Sequence, residues 1–238
     1  MTTGLILNTR APLYQERFHD AFGDLPWAIF DCAVARPEPA GDMHTPTPRA
    51  FDALIFTSQI AIMAWVPSGG WLNKKVYAVG EGTAQAAVAA GYTNVIQTGL
   101  NVDDMRRYLA TADFGTAFYP SADEVSADLS LEFPGRIRRE VAYKMVPRAD
   151  LPQQIITPAL KGTPIVAPLF SRRAADILSG LLGKAGITAD NARITAIGIS
   201  ANVFASDTGP WRHRVAAEQP TLEALVAKTG EMIESLSA

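Results

Sequence analysis

Phe51-Asp52-Ala53-Leu54-Ile55-Phe56-Thr57-Ser58 is an apolar run of strand length that ends in two hydroxyl residues. Ile165-Val166-Ala167-Pro168-Leu169-Phe170-Ser171 repeats that shape and again closes on Phe and a hydroxyl. Working outward, Val76-Tyr77-Ala78-Val79-Gly80 with Thr83-Ala84 has a partner in Ile194-Thr195-Ala196-Ile197-Gly198 with Ile199-Ser200-Ala201-Asn202. A third block, Asn94-Val95-Ile96 then Val102-Asp103-Asp104-Met105, resembles Arg214-Val215-Ala216 then Pro220-Thr221-Leu222-Glu223. Blocks that recur in one order at similar separations mark an internal repeat, and hence two domains of one fold.

Short apolar runs alternate with helix-period segments along the whole chain, the pattern of an α/β fold with mainly parallel strands. Strands are predicted at Leu5–Asn8, Trp27–Val34, Ala53–Phe56, Val76–Val79, Asn94–Gln97, Ala117–Tyr119, Arg138–Val146, Ile165–Leu169, Ile194–Ile197 and Arg214–Ala217. Helices are predicted at Gly82–Ala90, Val102–Ala110, Arg172–Lys184 and Leu222–Leu236, with Gly91 and Gly186 as C-terminal caps. The four prolines of 36–48 suit an extended crossover and exclude a helix, and a second crossover is expected near 145–150. The second copy starts only near residue 150, so the first ~35 residues supply its missing opening strand and helix. The expected architecture is two similar flavodoxin-like domains: 1–36 plus 149–238, with 40–146 inserted. Two chain crossings make a hinge, and a hinged pair is expected to hold a cleft.

The bulk composition narrows the function. With 238 residues, 48% of them hydrophobic, the chain can build its core without disulfides or metals. A net charge of −3, with no Lys/Arg run beyond two residues, argues against a nucleic-acid surface. The single cysteine, Cys32, lies in an apolar stretch and reads as a buried filler in a reducing cytosol. His19, His44 and His213 stand at no metal-ligand spacing, so no metal is expected. The first ten residues read as a strand, not a signal peptide, and no apolar window is long enough to span a bilayer. The expectation is therefore a cytoplasmic protein with no nucleic-acid or membrane partner.

In open α/β sheets ligands bind beyond the carboxyl ends of the strands, where helix N-termini attract anions. This chain places Thr57, Ser58, Ser121, Ser171 and Ser200 at such ends, with Thr83 in the opening turn of its helix. Each is also an ordinary helix cap, whatever the protein does. As a set facing one cleft they would be donors to carboxylates. No G-x-S-x-G elbow, phosphate-binding loop or H-E-x-x-H motif is present. Gly80-Glu81-Gly82-Thr83 begins like a dinucleotide fingerprint but lacks its third glycine.

These blocks resemble those of the uroporphyrinogen-III synthase family over nearly the whole chain. Leu5-Ile6-Leu7-Asn8-Thr9-Arg10 is similar to that family's first strand and Thr-Arg turn, and Phe51–Ser58 to its strand ending in Phe-Thr-Ser. Val76–Ala84 matches its Val-Gly-x-x-Thr-Ala segment, and Tyr143 falls in its Val-Tyr crossover strand. Ala216–Leu225 resembles its closing Pro-Thr-x-x-x-Leu helix start. The resemblance implies the inserted two-domain fold, no cofactor, and a reaction. Hydroxymethylbilane, a linear tetrapyrrole bearing eight carboxylates, loses water and cyclises with its last ring inverted, through a spiro intermediate.

It also implies roles. Tyr143 is the expected acid, because a phenol is neutral at pH 7 and can donate to the leaving hydroxyl; a tyrosine packing the crossover strand would look the same. Thr57, Ser58, Thr83 and Ser171 carry over as donors to the substrate's acetates and propionates, with Ser121 and Ser200 added from their strand ends; Arg10 and Arg172 would pair with its carboxylates, though each also fits an ordinary solvated surface arginine. The chain departs from the family at Gln59, where proline usually follows Thr-Ser, at Arg172, where a second hydroxyl is lost, and at Ala201, where a threonine is lost. The expected partner is hydroxymethylbilane alone, handed over by hydroxymethylbilane synthase to a monomer. Two rival classes share parts of this pattern: a non-enzymatic two-lobed binder of a small polycarboxylate, and a nucleotide-dependent α/β enzyme.

Overall fold

The computed structural model describes residues 3–41, 44, 46–125, 127–206 and 209–237. Asp42, Met43 and Thr45 of the proline-rich crossover lie outside the described residues. In chain order the first strands are β1 (Leu5–Asn8), β2 (Ala28–Asp31), β3 (Ala35–Pro39), β4 (Ala53–Phe56), β5 (Lys75–Ala78) and β6 (Val95–Gln97). They are followed by β7 (Ala117–Ala122), β8 (Ile137–Pro147), β9 (Ile165–Leu169), β10 (Ile194–Gly198) and β11 (His213–Ala216). The helices are α1 (Gln15–Phe22), α2 (Gln59–Trp65), α3 (Gly80–Ala89), α4 (Val102–Thr111), α5 (Leu129–Glu132), α6 (Gln153–Leu160), α7 (Arg172–Lys184) and α8 (Leu222–Ser237).

Met1–Arg36 with Val146–Ala238 form one compact unit, and Pro37–Met145 form another. The first, unit 1, holds the sheet β11-β10-β9-β1-β2, with all four neighbouring pairs parallel. Read from β2, this is the 2-1-3-4-5 order of flavodoxin-like sheets. The sheet of the second, unit 2, runs β3-β8-β7-β4-β5-β6, and its β8-β7-β4-β5-β6 portion is likewise parallel. It has the same order once counting starts at β7, so the two sheets are circular permutations of one another. The three repeated sequence blocks therefore sit at equivalent places: β4 matches β9, β5 matches β10 and β6 matches β11.

The central strands β4, β9 and β10 are buried at every residue, which is why they read as nearly unbroken apolar runs. In unit 1, Leu7, Ile165, Ala167 and Ala196 pack with Leu178, Leu181 and Leu182 of α7. Their alternating neighbours Ile6, Val166 and Ile197 pack on the other face with Phe18 and Phe22 of α1 and Leu225 and Ile233 of α8. Cys32 lies in the first of these clusters, as expected of a filler, and burial pushes its thiol pKa up. In unit 2, Ala53, Ile55, Tyr77 and Tyr119 pack with Met105 and Leu109 of α4. Behind them stands an aromatic layer in which Trp65 meets both Trp71 and Phe118 at 4.9 Å between centroids.

Several expectations changed. The proline-rich crossover carries the short strand β3, tolerated because β3 is the edge of its sheet and missing N–H donors there break no ladder. Helix α6 forms despite Pro158 inside it. The expected strand Trp27–Val34 shrinks to Ala28–Asp31, and Ala117–Tyr119 lengthens to Ala122. The segment after β10, the partner of the α3 start in the repeat, forms only a single-turn 3-10 helix, Ala201–Phe204.

Candidate active site

The carboxyl end of β4 is where unit 2 gathers its polar side chains. Ser58 has extended backbone and its Oγ accepts from Ala61 N–H at 3.1 Å, capping α2. The same oxygen lies 3.0 Å from the phenol of Tyr143. One residue earlier, Thr57 Oγ1 lies 3.1 Å from the phenol of Tyr119. Both tyrosines are almost wholly buried, at 1% exposure for Tyr119 and 6% for Tyr143, and burial raises the Tyr119 pKa. Thr57, Tyr119 and Tyr143 line a pocket of about 300 Å³ together with Val79, Asn101 and Glu124.

A β-bulge delivers Tyr143 to this place. The β7–β8 ladder runs from Ala117↔Ile137 to Ser121↔Val141, then skips Ala142 so that Ala122 pairs with Tyr143. An extra residue in one strand re-aims the side chains beyond it. The loop that follows β7 is held by Arg139. Its guanidinium donates to Ser121 Oγ at 2.8 Å, to the carbonyls of Ala122 and Asp123 at 2.7 Å each, and to Asp128 at 3.2 Å. Ser121 is thereby engaged inside the fold and does not line the pocket. At the other rim, Asn101 and Asp104 form a capping box on α4, so that helix end already has its own carboxylate.

Unit 1 presents different chemistry at the matching strand ends. Arg10, just past β1, places its guanidinium carbon 4.4 Å from the Tyr14 ring centroid and 4.2 Å from that of Phe170. Among the described residues no carboxylate pairs with it, and burial lowers its pKa from the ordinary arginine value. Arg10, Tyr14, Arg17, Phe18, Phe170 and Ile199 line a pocket of about 200 Å³. The turn is fixed by Asn8, whose side-chain oxygen accepts from Arg10 N–H at 3.1 Å while its amide donates to Asp31 at 2.7 Å.

The remaining expected residues divide. Ser171 caps α7 by accepting from Ala174 N–H at 3.2 Å, and it and Arg172 are exposed outside this pocket. Ser200 starts the 3-10 turn without a side-chain cap. Thr83 is buried in the first turns of α3 and lines neither pocket. In the α3 start, Gly80 is required by its φ of +74°. Its counterpart Gly198 is required by space, since a Cβ there would lie 2.8 Å from the Ser200 carbonyl oxygen. Tyr119, Arg139 and Asn8 were not anticipated as site residues. Tyr119 and Asn8 each had a sequence signal as the last residue of a predicted strand, and Arg139 had none.

Among the described residues no helix is long and apolar enough to cross a membrane, and no group of three or more His, Cys, Asp and Glu could hold a metal ion. No curated protein sequence matches the chain. Among solved structures, a uroporphyrinogen-III synthetase from Helicobacter pylori 26695 is similar at 17% identity, with 98% of this chain and 99% of that one covered and a TM-score of 0.64. A mutant uroporphyrinogen III synthase from the extremely thermophilic bacterium Thermus thermophilus is similar at 15% identity, covering 98% and 100%, with a TM-score of 0.50. At such identities these structures speak for the fold. Residues 33–227 match the family described as uroporphyrinogen-III synthase HemD. With most of its length matched, the chain belongs to the uroporphyrinogen-III synthase family.

Proposed function

We propose that this protein is a uroporphyrinogen-III synthase, converting hydroxymethylbilane and no other substrate to uroporphyrinogen III and water. The observation that carries the reading is the family match over residues 33–227. The pairing of Ser58 with Tyr143 supports a specific mechanism.

The pyrrole nitrogen expels the terminal hydroxyl, which takes a proton from Tyr143 and leaves as water. The cation that remains is attacked by the substituted carbon of the last ring. The resulting spiro intermediate fragments and recloses with that ring inverted, and the final ring carbon gives up a proton. One proton enters and one returns, so the balance needs no redox partner. Ser58 fits the role of Tyr143's support. Its oxygen already accepts from Ala61 N–H, which leaves its own proton free to point at the phenol oxygen as that oxygen loses its proton. In unit 1, the stacked Arg10 serves as an anchor for a propionate or acetate, since stacking leaves its in-plane N–H fork open to a carboxylate. Thr57 and Ser58 are the hydroxyls retained as contributors, whereas Thr83, Ser171, Arg172 and Ser200 line neither pocket and are assigned no side-chain contact with substrate. Ser121 acts only through Arg139.

On this reading the two units are the domains of an inserted pair, and the protein is a cytoplasmic monomer supplied by hydroxymethylbilane synthase. The net charge of −3 fits the lack of a nucleic-acid partner. The test is a coupled assay. Hydroxymethylbilane is generated in situ, the purified chain is added, and the oxidised porphyrins are separated by isomer. Predominant type III product is expected; only type I, as forms without enzyme, would leave the two-lobed binder as the better reading.

A further inference from the structure

We propose that Tyr119 is a positioning residue for this reaction: acting through Thr57, it aims a hydroxyl donor into the pocket and so sets the proportion of inverted product. The inference rests on the function proposed above. Its basis is geometric. Thr57 and Ser58 are consecutive, yet each is tied to a different tyrosine, Thr57 to Tyr119 on β7 and Ser58 to Tyr143 on β8. The Tyr119 phenol is 1% exposed and belongs to the cluster of Ile55, Tyr77, Met105 and Leu129, so its ring is fixed by packing. Thr57 is less buried, and both residues line the pocket.

Two hydroxyls 3.1 Å apart share one proton and have one left over. Tyr119 is almost wholly buried while Thr57 is the more exposed of the two, so we assign the donation to Tyr119, which leaves the proton of Thr57 for the pocket. Without the phenol, the Thr57 hydroxyl rotates freely and the same proton is no longer aimed. The chemistry to be steered is a choice between two attacking carbons of one ring, where a small difference in barrier sets the isomer ratio. Tyr119 itself touches no reacting atom on this account. Its effect must therefore vanish when Thr57 has no hydroxyl to aim.

That requirement defines the experiment. Tyr119→Phe keeps the ring and its packing, Thr57→Val keeps the shape of Thr57, and the double variant closes the cycle. Each is assayed at an enzyme excess that outruns spontaneous closure, with the ratio of type III to type I porphyrin as readout and a thermal midpoint as control. Each single variant should lower the ratio about fivefold, the effect of one ordinary hydrogen bond. The double variant should be no worse than Thr57→Val alone. An unchanged ratio in Tyr119→Phe, or single effects that multiply in the double variant, would overturn the inference. If Tyr119→Phe does not fold, Thr57→Val decides alone, an unchanged ratio again counting against it. A wild-type chain yielding only type I product instead refutes the function itself, a result distinct from any of these.

Discussion

Ser58 and Ser171 occupy the same place in the two sheets, just past β4 and β9, with backbone angles that differ by only a degree. Ser58 has φ −155° and ψ 154°, and Ser171 has φ −156° and ψ 153°. Both cap the next helix by accepting from the N–H three residues on, at 3.1 and 3.2 Å. Only Ser58 also meets a phenol, because β8 is eleven residues long and bulged, whereas its counterpart β2 has four residues and contributes no tyrosine. The repeat thus copies a backbone and its caps, and the neighbouring strand decides which copy meets a phenol. Unit 1 holds instead a cation between two rings, Arg10 between Tyr14 and Phe170. What this teaches is a difference in what the two copies present at one strand end: a serine–phenol pair in unit 2 and a ring-stacked guanidinium in unit 1.

Tyr143→Phe should break the comparison most severely. Turnover is expected to fall about 100-fold with KM little changed, because the acid is lost and the ring stays. A rate near wild type in steady-state assays would move the acid elsewhere and remove the asymmetry. Arg10→Gln comes next, with KM for hydroxymethylbilane raised about tenfold and turnover nearly intact, the loss of one charge-assisted contact. A fall in turnover at constant KM would instead place chemistry in unit 1.

The matched serines sharpen the contrast. Ser58→Ala and Ser171→Ala should each lower stability by about 1 kcal/mol, a shift of roughly 2–4 °C in the thermal midpoint. Ser58→Ala should also slow turnover about fivefold through Tyr143. Thr83→Ala, buried in α3 and outside both pockets, should reduce kcat/KM only about twofold; abolished activity in a folded variant would show that it contacts substrate. Ser171→Ala should leave activity unchanged, the smallest effect of the series, and a loss of type III yield there would make the two copies functionally alike.

Much of the fold was legible before any coordinate. Strands β1, β4 and β9 and helix α7 have the bounds that the apolar runs and caps predict. Such elements are set by local pattern: short apolar runs buried on both faces for the strands, and burial every three to four residues for the helix. Helix α6 escaped because Pro158 forbids by local rules what tertiary packing of Ile155 and Ala159 maintains. Strand β3 escaped because a proline-rich segment reads as strand only when its edge position is known.

Of the candidate site, the sequence offered Thr57, Ser58 and Arg10 as residue types at strand ends and Tyr143 as a tyrosine within the crossover strand, and no further. By itself the order of the chain determined the α/β class, the duplication and the strand ends where donors collect, because hydrophobic periodicity and turn chemistry are local. Only the tertiary structure decided which donors meet. The Ser58–Tyr143 pair spans 85 positions and depends on one skipped residue, Ala142, in a strand ladder. The clamp on Arg10 needs β1 and β9 side by side, with Phe170 arriving 160 residues later in the chain. Such contacts are fixed by sheet register and packing between distant segments, and no local pattern encodes a register.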